Sequence, residues 1–195
     1  MPKSAYHHGD LRSALLEVTA QLVREKGARG FSVSEAARRV GVSIAAPYRH
    51  FDDREAMLAA VATRGFTELQ ETLDGVADPG DQVVRAVAIA EAYVGFALAD
   101  TARFEVMFAA SIDKDRHPEL LECAGRVQSG LQDALRELVG DDPAGVVRRA
   151  AELWSIAHGV AALLVEDRLA HVVGPAGEDT VVAGAVRAWA TGLAG

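Results

Sequence analysis

Residues 32–51 read SVSEAARRVGVSIAAPYRHF, and this stretch decides how the fold is interpreted. Ser32 followed three residues later by Glu35 has the pattern of a capping box, which begins a helix. Gly41 ends that helix, because glycine tolerates the positive φ that a tight turn requires. A second short helix then begins at Ser43. The stretch therefore predicts a helix-turn-helix whose second helix is held outward.

The second helix presents a short row of outward residues, namely Ile44, Ala45, Ala46, Tyr48 and Arg49. Small apolar side chains contact thymine methyl groups, an arginine binds guanine, and a tyrosine or histidine binds phosphate. A hydroxyl at a helix N-terminus, such as that of Ser43, suits a phosphate as well. The alternative is a generic helical hairpin with surface charges. The cluster 48–51, followed by Asp53, Arg54 and Glu55, favours a DNA-reading helix.

Helical periodicity extends over the rest of the 195 residues, whereas alternating strand patterns are nearly absent. Glycines and short turn-rich pieces separate the apolar repeats, and residues 77–80 (ADPG) form the clearest break. We therefore predict an all-α protein of about nine helices, at residues 10–26, 32–41, 43–50, 53–75, 81–99, 102–110, 117–139, 144–168 and 179–193.

The charge of the chain is divided unevenly along its length. Residues 1–51 hold eight basic and four acidic residues, a net charge of +4. The remaining residues hold 12 basic and 24 acidic residues, a net charge of −12. A basic first quarter joined to an acidic body is expected when one part meets phosphates and the other part does not.

Residues 6–66 resemble the DNA-binding domain of the TetR family of bacterial regulators. The matching residues are Leu15, Leu22, Gly27, Phe31-Ser32-Val33, Ala37, Gly41-Val42-Ser43, Tyr48-Arg49-His50-Phe51, Arg54-Glu55 and Leu58. The resemblance implies a three-helix DNA-binding head and a fourth helix that connects it to a variable C-terminal domain. We accordingly expect a DNA-binding domain at 1–52 and a ligand-binding and dimerisation domain at 53–195.

The same resemblance implies which head residues meet DNA. Phosphate contacts are implied for Ser32, Ser43, Tyr48, His50 and Arg54, and base contacts for Ala45, Ala46 and Arg49. Pro47 departs from the family pattern, which usually has an apolar helix former such as leucine there. Because proline removes a helical hydrogen bond and disfavours helical geometry at the residue before it, we expect the recognition helix to begin late or to be tightly wound.

The C-terminal part contains LWSIAHG at 153–159, which resembles the Trp-His-Gly signature of one TetR subgroup. The helix at 144–168 has two apolar stripes, and a helix that is apolar on two adjoining faces buries both. With the last helix it predicts a four-helix interface in a homodimer; a single buried core helix is the alternative. The predicted interface residues are Ala150, Leu153, Ala157, Ala161, Leu164, Ala185, Ala188 and Trp189.

A small-molecule pocket is predicted among the aromatic residues of the same part. The candidates are Tyr93, Phe96, Phe104, Met107, Phe108, Trp154 and His158. Each of them is equally explained as a core residue, although an aromatic-rich pocket is typical of ligand binding. For His158 the alternatives are a hydrogen-bonded core histidine, a polar anchor for ligand, and a pH-sensitive group.

These patterns predict a DNA-binding transcriptional regulator, a cytoplasmic homodimeric repressor that a small-molecule effector releases from a palindromic double-stranded operator. The alternatives are a helical small-molecule-binding module or an enzyme without DNA binding, but no catalytic, zinc or phosphate-loop motif supports an enzyme. We expect no cofactor, no membrane association and no metal at His7 and His8, which belong to a polar N-terminal arm. The single cysteine, Cys123, is interpreted as structural.

Overall fold

A computed structural model describes the protein at residues 8–109, 112–140, 142–174 and 177–192, and every regular element in these ranges is helical. The predicted all-α fold class is confirmed. The predicted N-terminal arm runs from Lys3 to His8; residues 3–7 lie outside the described residues, and His8 is the first residue of the first helix. The helices are α1 (His8–Gly30), α2 (Val33–Val40), α3 (Arg54–Asp74), α4 (Gln82–Ala99), α5 (Thr101–Met107), α6 (Pro118–Val139), α7 (Pro143–Val165), α8 (Ala170–Val173) and α9 (Glu178–Thr191). Two short 3₁₀ turns, Pro47–Arg49 and Lys114–Arg116, complete the set.

The chain divides into two compact units. The first comprises Met1–Phe66 together with Thr101–Glu122, and the second comprises Thr67–Asp100 together with Cys123–Gly195. The first unit, which we call the head unit, thus contains a segment from the middle of the chain. The second, which we call the body unit, contains the ends of α3 and α6 and all of α4, α7, α8 and α9. The functional boundary between residues 52 and 53 stays a prediction.

The head unit is held together by apolar side chains that recur at helical spacing. Leu15 and Leu22 on α1 and Met57 on α3 are fully buried, and α1 packs against both α2 and α5. Each fully buried side chain of this size contributes about 1.5–3 kcal/mol. Gly27 has a φ of 72° inside the range of α1, so the helix is broken where the sequence predicts its end.

Glycine and serine end and begin α2 as the sequence predicts, but the capping box is not formed. Gly41 adopts the left-handed conformation with a φ of 80°. Ser32 occupies the N-cap position with extended backbone, yet its hydroxyl lies 2.9 Å from the Ser34 hydroxyl rather than capping a backbone N–H. Glu35 does not reach back either, because its carboxylate binds Lys26 at 2.7 Å. The ion pair outcompetes the reciprocal cap.

The predicted third α-helix is a series of tight turns that ends in 3₁₀ geometry. The Ala46 N–H donates to the Ser43 carbonyl at 3.0 Å, and the Arg49 N–H donates to the Ala46 carbonyl at 3.2 Å. Both bonds span three residues, as in a 3₁₀ helix. In an α-helix the Ser43 carbonyl would accept from residue 47, but Pro47 has no N–H to give. Proline therefore accounts for the tight winding.

The body unit is built around α4, which packs against α7 and α9. Asp81 begins this helix, because its carboxylate accepts from the N–H groups of Val83 and Val84. In length and hydropathy α4 would also suit a membrane span, with a mean hydropathy of 1.4. Eight of its residues are nevertheless buried against other helices, including Tyr93 and Phe96. We describe it as the core helix of this unit.

The bounds of the other long helices agree with the sequence prediction, and the structure has one additional helix. The structure begins and ends α3, α4, α6 and α7 within three residues of the predicted bounds. The short α8 was not predicted, since four residues are too few to show a repeat. Helical periodicity thus located every long helix in the described part of the chain.

Candidate nucleic-acid interface and effector pocket

The residues from Ser43 to Phe51, which we call the recognition turn, have one buried and one exposed side. Pro47 and Phe51 point inward and are buried, so they hold the turn against the rest of the head unit. Ile44 is 58% exposed and Tyr48 is 53% exposed. Large side chains with such exposure on a short turn suit contact with a partner rather than packing.

Charge on the exposed side of the recognition turn comes from Arg49. Neither the Arg49 side chain nor the Tyr48 side chain makes a hydrogen bond or ion pair with any residue that the structure describes. Ser43 and Ala45 are exposed, whereas Ala46 and His50 are half-buried. Four of the predicted DNA-contacting residues are thus exposed within this one short turn. Their contacts with DNA stay predictions.

An ionic network links α2 to α1. Arg39 binds both carboxylate oxygens of Glu25, at 2.7 and 2.6 Å, and Lys26 binds Glu35 at 2.7 Å. The bond from Arg39 holds the pKa of Glu25 below its ordinary value, and the bond from Lys26 does the same for Glu35. Surface pairs of this kind add little stability singly, but a bidentate network restrains the angle between two helices.

Arg54 has partners within the head unit that the sequence did not suggest. Its guanidinium donates to the backbone carbonyls of Phe31 at 3.1 Å, of Arg29 at 3.3 Å and of Ala28. It also lies over the Phe31 ring, 5.6 Å from its centre. These carbonyls lie at the end of α1, where no helical donor remains for them. Arg54 therefore caps α1, and its predicted phosphate contact would be a second role.

The loop before α6 is tied to the start of α3 by charged groups. Arg116 donates to Asp53 at 2.8 Å and lies 3.3 Å from Glu55. The His117 ring nitrogen lies 3.2 Å from the same Glu55 carboxylate. The bond from Arg116 is the main reason why the pKa of Asp53 is lowered. The segment that follows α5 is thus an integral part of the head unit.

Three of the predicted ligand residues meet inside the body unit. The Tyr93 hydroxyl lies 2.9 Å from Nδ1 of His158, and the indole N–H of Trp154 donates to the Tyr93 oxygen at 3.4 Å. Because an indole can only donate, the hydroxyl hydrogen of Tyr93 remains available for the imidazole. Burial lowers the pKa of His158 below its ordinary value, which favours the neutral ring, and burial raises the pKa of Tyr93. We call these three residues the polar triad.

The other four predicted ligand residues are divided between the two units. Phe96 is buried in the body unit. Phe104, Met107 and Phe108 belong to the head unit, where Phe108 contacts the Phe66 ring at a centroid distance of 5.5 Å. The seven predicted residues are thus divided between the two units, and their role in ligand binding stays a prediction. Sequence spacing could not show this, because the division between the units depends on tertiary packing.

A cavity of about 610 Å³ lies in the body unit beside the triad, between the end of α3, α4 and α6. Its volume is within the usual range for small-molecule sites, roughly 300–1,000 Å³. None of the seven predicted ligand residues lines it. Its polar lining is Gln70, Asp74, Arg85, Arg126, Ser129 and Asp133. Charged residues on a helix usually indicate a face exposed to solvent. No sequence pattern therefore predicted that these residues line a cavity.

The predicted dimer residues on α7 need a correction. Ala150, Leu153, Ala157 and Ala161 are buried in the core of their own chain, so their side chains are not available to a second copy. The opposite face of α7 is the exposed one, and it carries small residues at Ala151, Ser155 and Gly159. The sequence predicts two apolar stripes on α7, and the stripe predicted to form the interface is the one that faces the core.

The predicted interface residues on α9 have different surroundings. Ala185 and Ala188 are exposed and Trp189 is half-buried, as is Leu164, the remaining predicted interface residue on α7. The Trp189 indole donates to Glu152 at 2.8 Å, and Arg149 binds the same carboxylate at 2.7 Å. The Trp189 bond is the main reason why the pKa of Glu152 is lowered. Trp189 thus links α9 to α7 within one chain.

Comparison with known proteins identifies the family. The sequence model described as "Bacterial regulatory proteins, tetR family" matches residues 15–61, which include the recognition turn. The model described as "Tetracyclin repressor-like, C-terminal domain" matches residues 86–189, more than half of the chain. The chain belongs to the TetR family, as the sequence resemblance indicates. The Trp-His-Gly subgroup stays a prediction.

Individual relatives agree with this assignment. The HTH-type transcriptional regulator Rv1816 of Mycobacterium tuberculosis is 25% identical over 107 residues, 52% of this chain and 45% of that protein. The chain thus spans about half the length of the curated relatives it matches. A Rhodococcus sp. RHA1 protein of unknown function is 30% identical, with a TM-score of 0.82 over 99% of this chain and 100% of that one. The fold also matches a TetR variant from Acinetobacter baumannii in complex with minocycline, with a TM-score of 0.64, 17% identity, and 96% of each chain covered.

Proposed function

We propose that the protein is a repressor that binds a palindromic operator and leaves it when a small molecule binds the body unit. The observation that carries the proposal is the recognition turn. Pro47 and Phe51 anchor it from inside, while Ile44, Tyr48 and Arg49 are exposed. A rigid protruding element of this kind suits the major groove, where arginine reads guanine and apolar groups contact thymine methyls.

DNA binding is tested on the protein's own promoter. We expect the purified protein to retard a labelled promoter fragment at moderate salt, in the presence of excess unrelated DNA. A footprint should then cover two half-sites about one helical turn apart, roughly 34 Å. Retardation that unrelated DNA abolishes would leave only non-specific phosphate binding and would contradict the proposal.

The shape of the recognition turn predicts the effect of a leucine at residue 47. We expect Pro47→Leu to keep the fold, because leucine is apolar and the site is buried, and to permit an α-helical course from Ser43. Such a change would alter which side chains reach the bases, so the preferred sequence should change. Selection of binding sites from a random library, for both proteins, measures this. The same selected sequence for both would contradict the expectation.

A homodimer is part of the proposal, because two recognition turns are needed for two half-sites. The exposed faces of α7 and α9 both carry small residues, among them Ser155 and Gly159 on α7 and Ala185 and Ala188 on α9. Small residues allow close approach of helices from two copies. A four-helix interface made from the outward faces is consistent with these positions.

A charge placed on this surface is expected to separate the subunits. Ala188→Arg should convert the dimer to a monomer at micromolar concentration, since an unpaired arginine at an apolar interface is unfavourable. Analytical ultracentrifugation measures the change. Ala99→Arg, at an exposed alanine at the end of α4, is the matched control and should remain dimeric. Equal behaviour of the two variants would contradict the proposed interface.

Release by an effector follows if the ligand favours a dimer whose recognition turns no longer fit the half-sites. The polar triad and the adjoining cavity are the features of the body unit that support a ligand. Neutral hydrogen-bonding groups on an apolar background are typical of sites that orient a small molecule. The protein is proposed to act by binding alone, without catalysis, in the cytoplasm.

A further inference from the structure

The cavity beside α6 and the polar triad are separated by a single layer of aliphatic side chains. A second, smaller void of about 20 Å³ lies under the cavity and is lined by Tyr93 and Trp154. Four residues line both spaces, namely Leu73, Ile89, Val127 and Leu131. We call these four the aliphatic layer. A small displacement of this layer would join the two spaces into one.

No ionic group is found among the described residues that line the inner void. The described residues that line it are apolar except for Tyr93, Trp154 and Gln128, which are uncharged hydrogen-bonding groups. Burial keeps the proton on the Tyr93 hydroxyl and disfavours one on His158, as the directions of their pKa values show. A charged ligand group placed here would lose its hydration without gaining a counter-ion.

The rim of the cavity is balanced in charge. Two carboxylates, Asp74 and Asp133, and two guanidinium groups, Arg85 and Arg126, line it. Asp74 and Asp133 are exposed, so the cavity opens to solvent there. A ligand cation would meet as many like charges as opposite ones, and so would a ligand anion. The entrance therefore favours neither sign.

Gln70, which lines the cavity, has a buried acceptor that lacks a donor among the described residues. The Gln70 side chain donates to Asp74 at 2.7 Å, whereas its Oε1 is buried without a hydrogen-bond partner in the described part of the chain. Gly130 leaves room for this amide, since a Cβ there would stand 2.8 Å from the Gln70 amide nitrogen. A buried acceptor of this kind is satisfied by a hydroxyl or an amide N–H, and not by a carboxylate.

We propose that the effector is an uncharged, mostly apolar molecule that carries a hydroxyl or amide N–H group. It enters the cavity between α3, α4 and α6, where the Gln70 side chain turns so that its Oε1 accepts from the ligand. It also parts the aliphatic layer, so that its apolar body reaches Tyr93 and Trp154. This inference rests on the proposed function, because only a regulator has an effector. The binding itself can be measured without DNA. The polar triad then acts as the inner end of the site.

Three ligands with the same hydrocarbon chain test the class. Decanol, decanoate and decylammonium are titrated into the full-length wild-type protein at neutral pH and followed by calorimetry. Decanol should bind at least about tenfold more tightly than either ion. Gln70→Leu should weaken decanol binding about fivefold. Gln82→Leu, which removes a glutamine bonded to Glu137 away from the cavity lining, should leave it unchanged. An ion that binds as tightly as decanol, or no binding of decanol, overturns the proposal.

The depth of binding is tested by fluorescence. Trp154 and Trp189 are the two tryptophans of the chain, so Trp189→Phe leaves Trp154 as the reporter and Trp154→Phe leaves Trp189. A decanol with bromine at its far end should quench Trp154 strongly and Trp189 weakly, because bromine quenches at short range. Equal quenching of both, or of Trp189 alone, shows that the aliphatic layer stays closed and overturns the proposal. Specific promoter binding that persists without any decanol binding would contradict this inference and leave the proposed function standing.

Discussion

Arg49→Ala is expected to weaken specific operator binding by about tenfold to a hundredfold, which is the contribution of one good arginine–guanine pair. Arg49 is exposed on the recognition turn and makes no ion pair with the described residues, so its loss should not disturb the fold. The loss should be concentrated at one base pair of each half-site. Fluorescence anisotropy with the operator, and with operators altered at single positions, measures both effects.

The control for Arg49→Ala is a variant that removes one positive charge elsewhere in the chain. Arg168→Ala removes an arginine whose side chain is 70% exposed beside Glu166 in the body unit. It lowers the net charge equally and should change operator affinity by less than about twofold. If both variants lost the same affinity, long-range charge rather than base reading would explain the result. Unchanged binding of Arg49→Ala would remove Arg49 from the interface.

Arg54→Ala is expected to lower the free energy of unfolding by about 2 kcal/mol, because three backbone carbonyls would lose a charged donor. The guanidinium is partly exposed, so the figure lies in the lower part of the range for such bonds. Arg54→Lys should recover little, since an ammonium cannot reach several carbonyls as a planar fork does. Urea unfolding followed by circular dichroism gives the measurement.

Arg12 offers a matched comparison for Arg54. Its guanidinium lies 5.2 Å from the centre of the Phe51 ring, much as Arg54 lies over Phe31. Arg12→Ala should therefore cost only a cation–π contact, about 0.5 kcal/mol at an exposed site. If Arg54→Ala unfolded like the wild type but bound the operator poorly, the capping role would be wrong and the phosphate contact implied by the family would remain.

Features set by local chemistry were predictable from the sequence. Gly27 and Gly41 adopt positive φ where a helix was predicted to end, and Asp53 accepts from the Ala56 N–H where α3 was predicted to begin. The tight winding at Pro47 followed from its missing N–H. In each case the residues that determine the conformation lie within four positions of one another, so no knowledge of tertiary packing was required.

Features that depend on distant residues were missed. The carbonyls that bind Arg54 lie 23 to 26 residues away in sequence. The two apolar stripes of α7 are alike in composition, so hydropathy could not tell which one faces the core. The sequence predicts that Glu35 belongs to a capping box, but Glu35 binds Lys26 instead. No sequence pattern relates these two residues, because they are nine positions apart. Tertiary contacts decided each of these cases.

The inclusion of residues 101–122 in the head unit limits how the protein can be divided in the laboratory. Val106, Met107 and Leu120 are buried there, and α5 packs against α1. A fragment that stops after the recognition turn would lack α3 and would expose to water the surface of α1 that α5 covers. Chimaeras that graft this DNA specificity onto another sensor should therefore carry the α5 to α6 segment together with the first 66 residues.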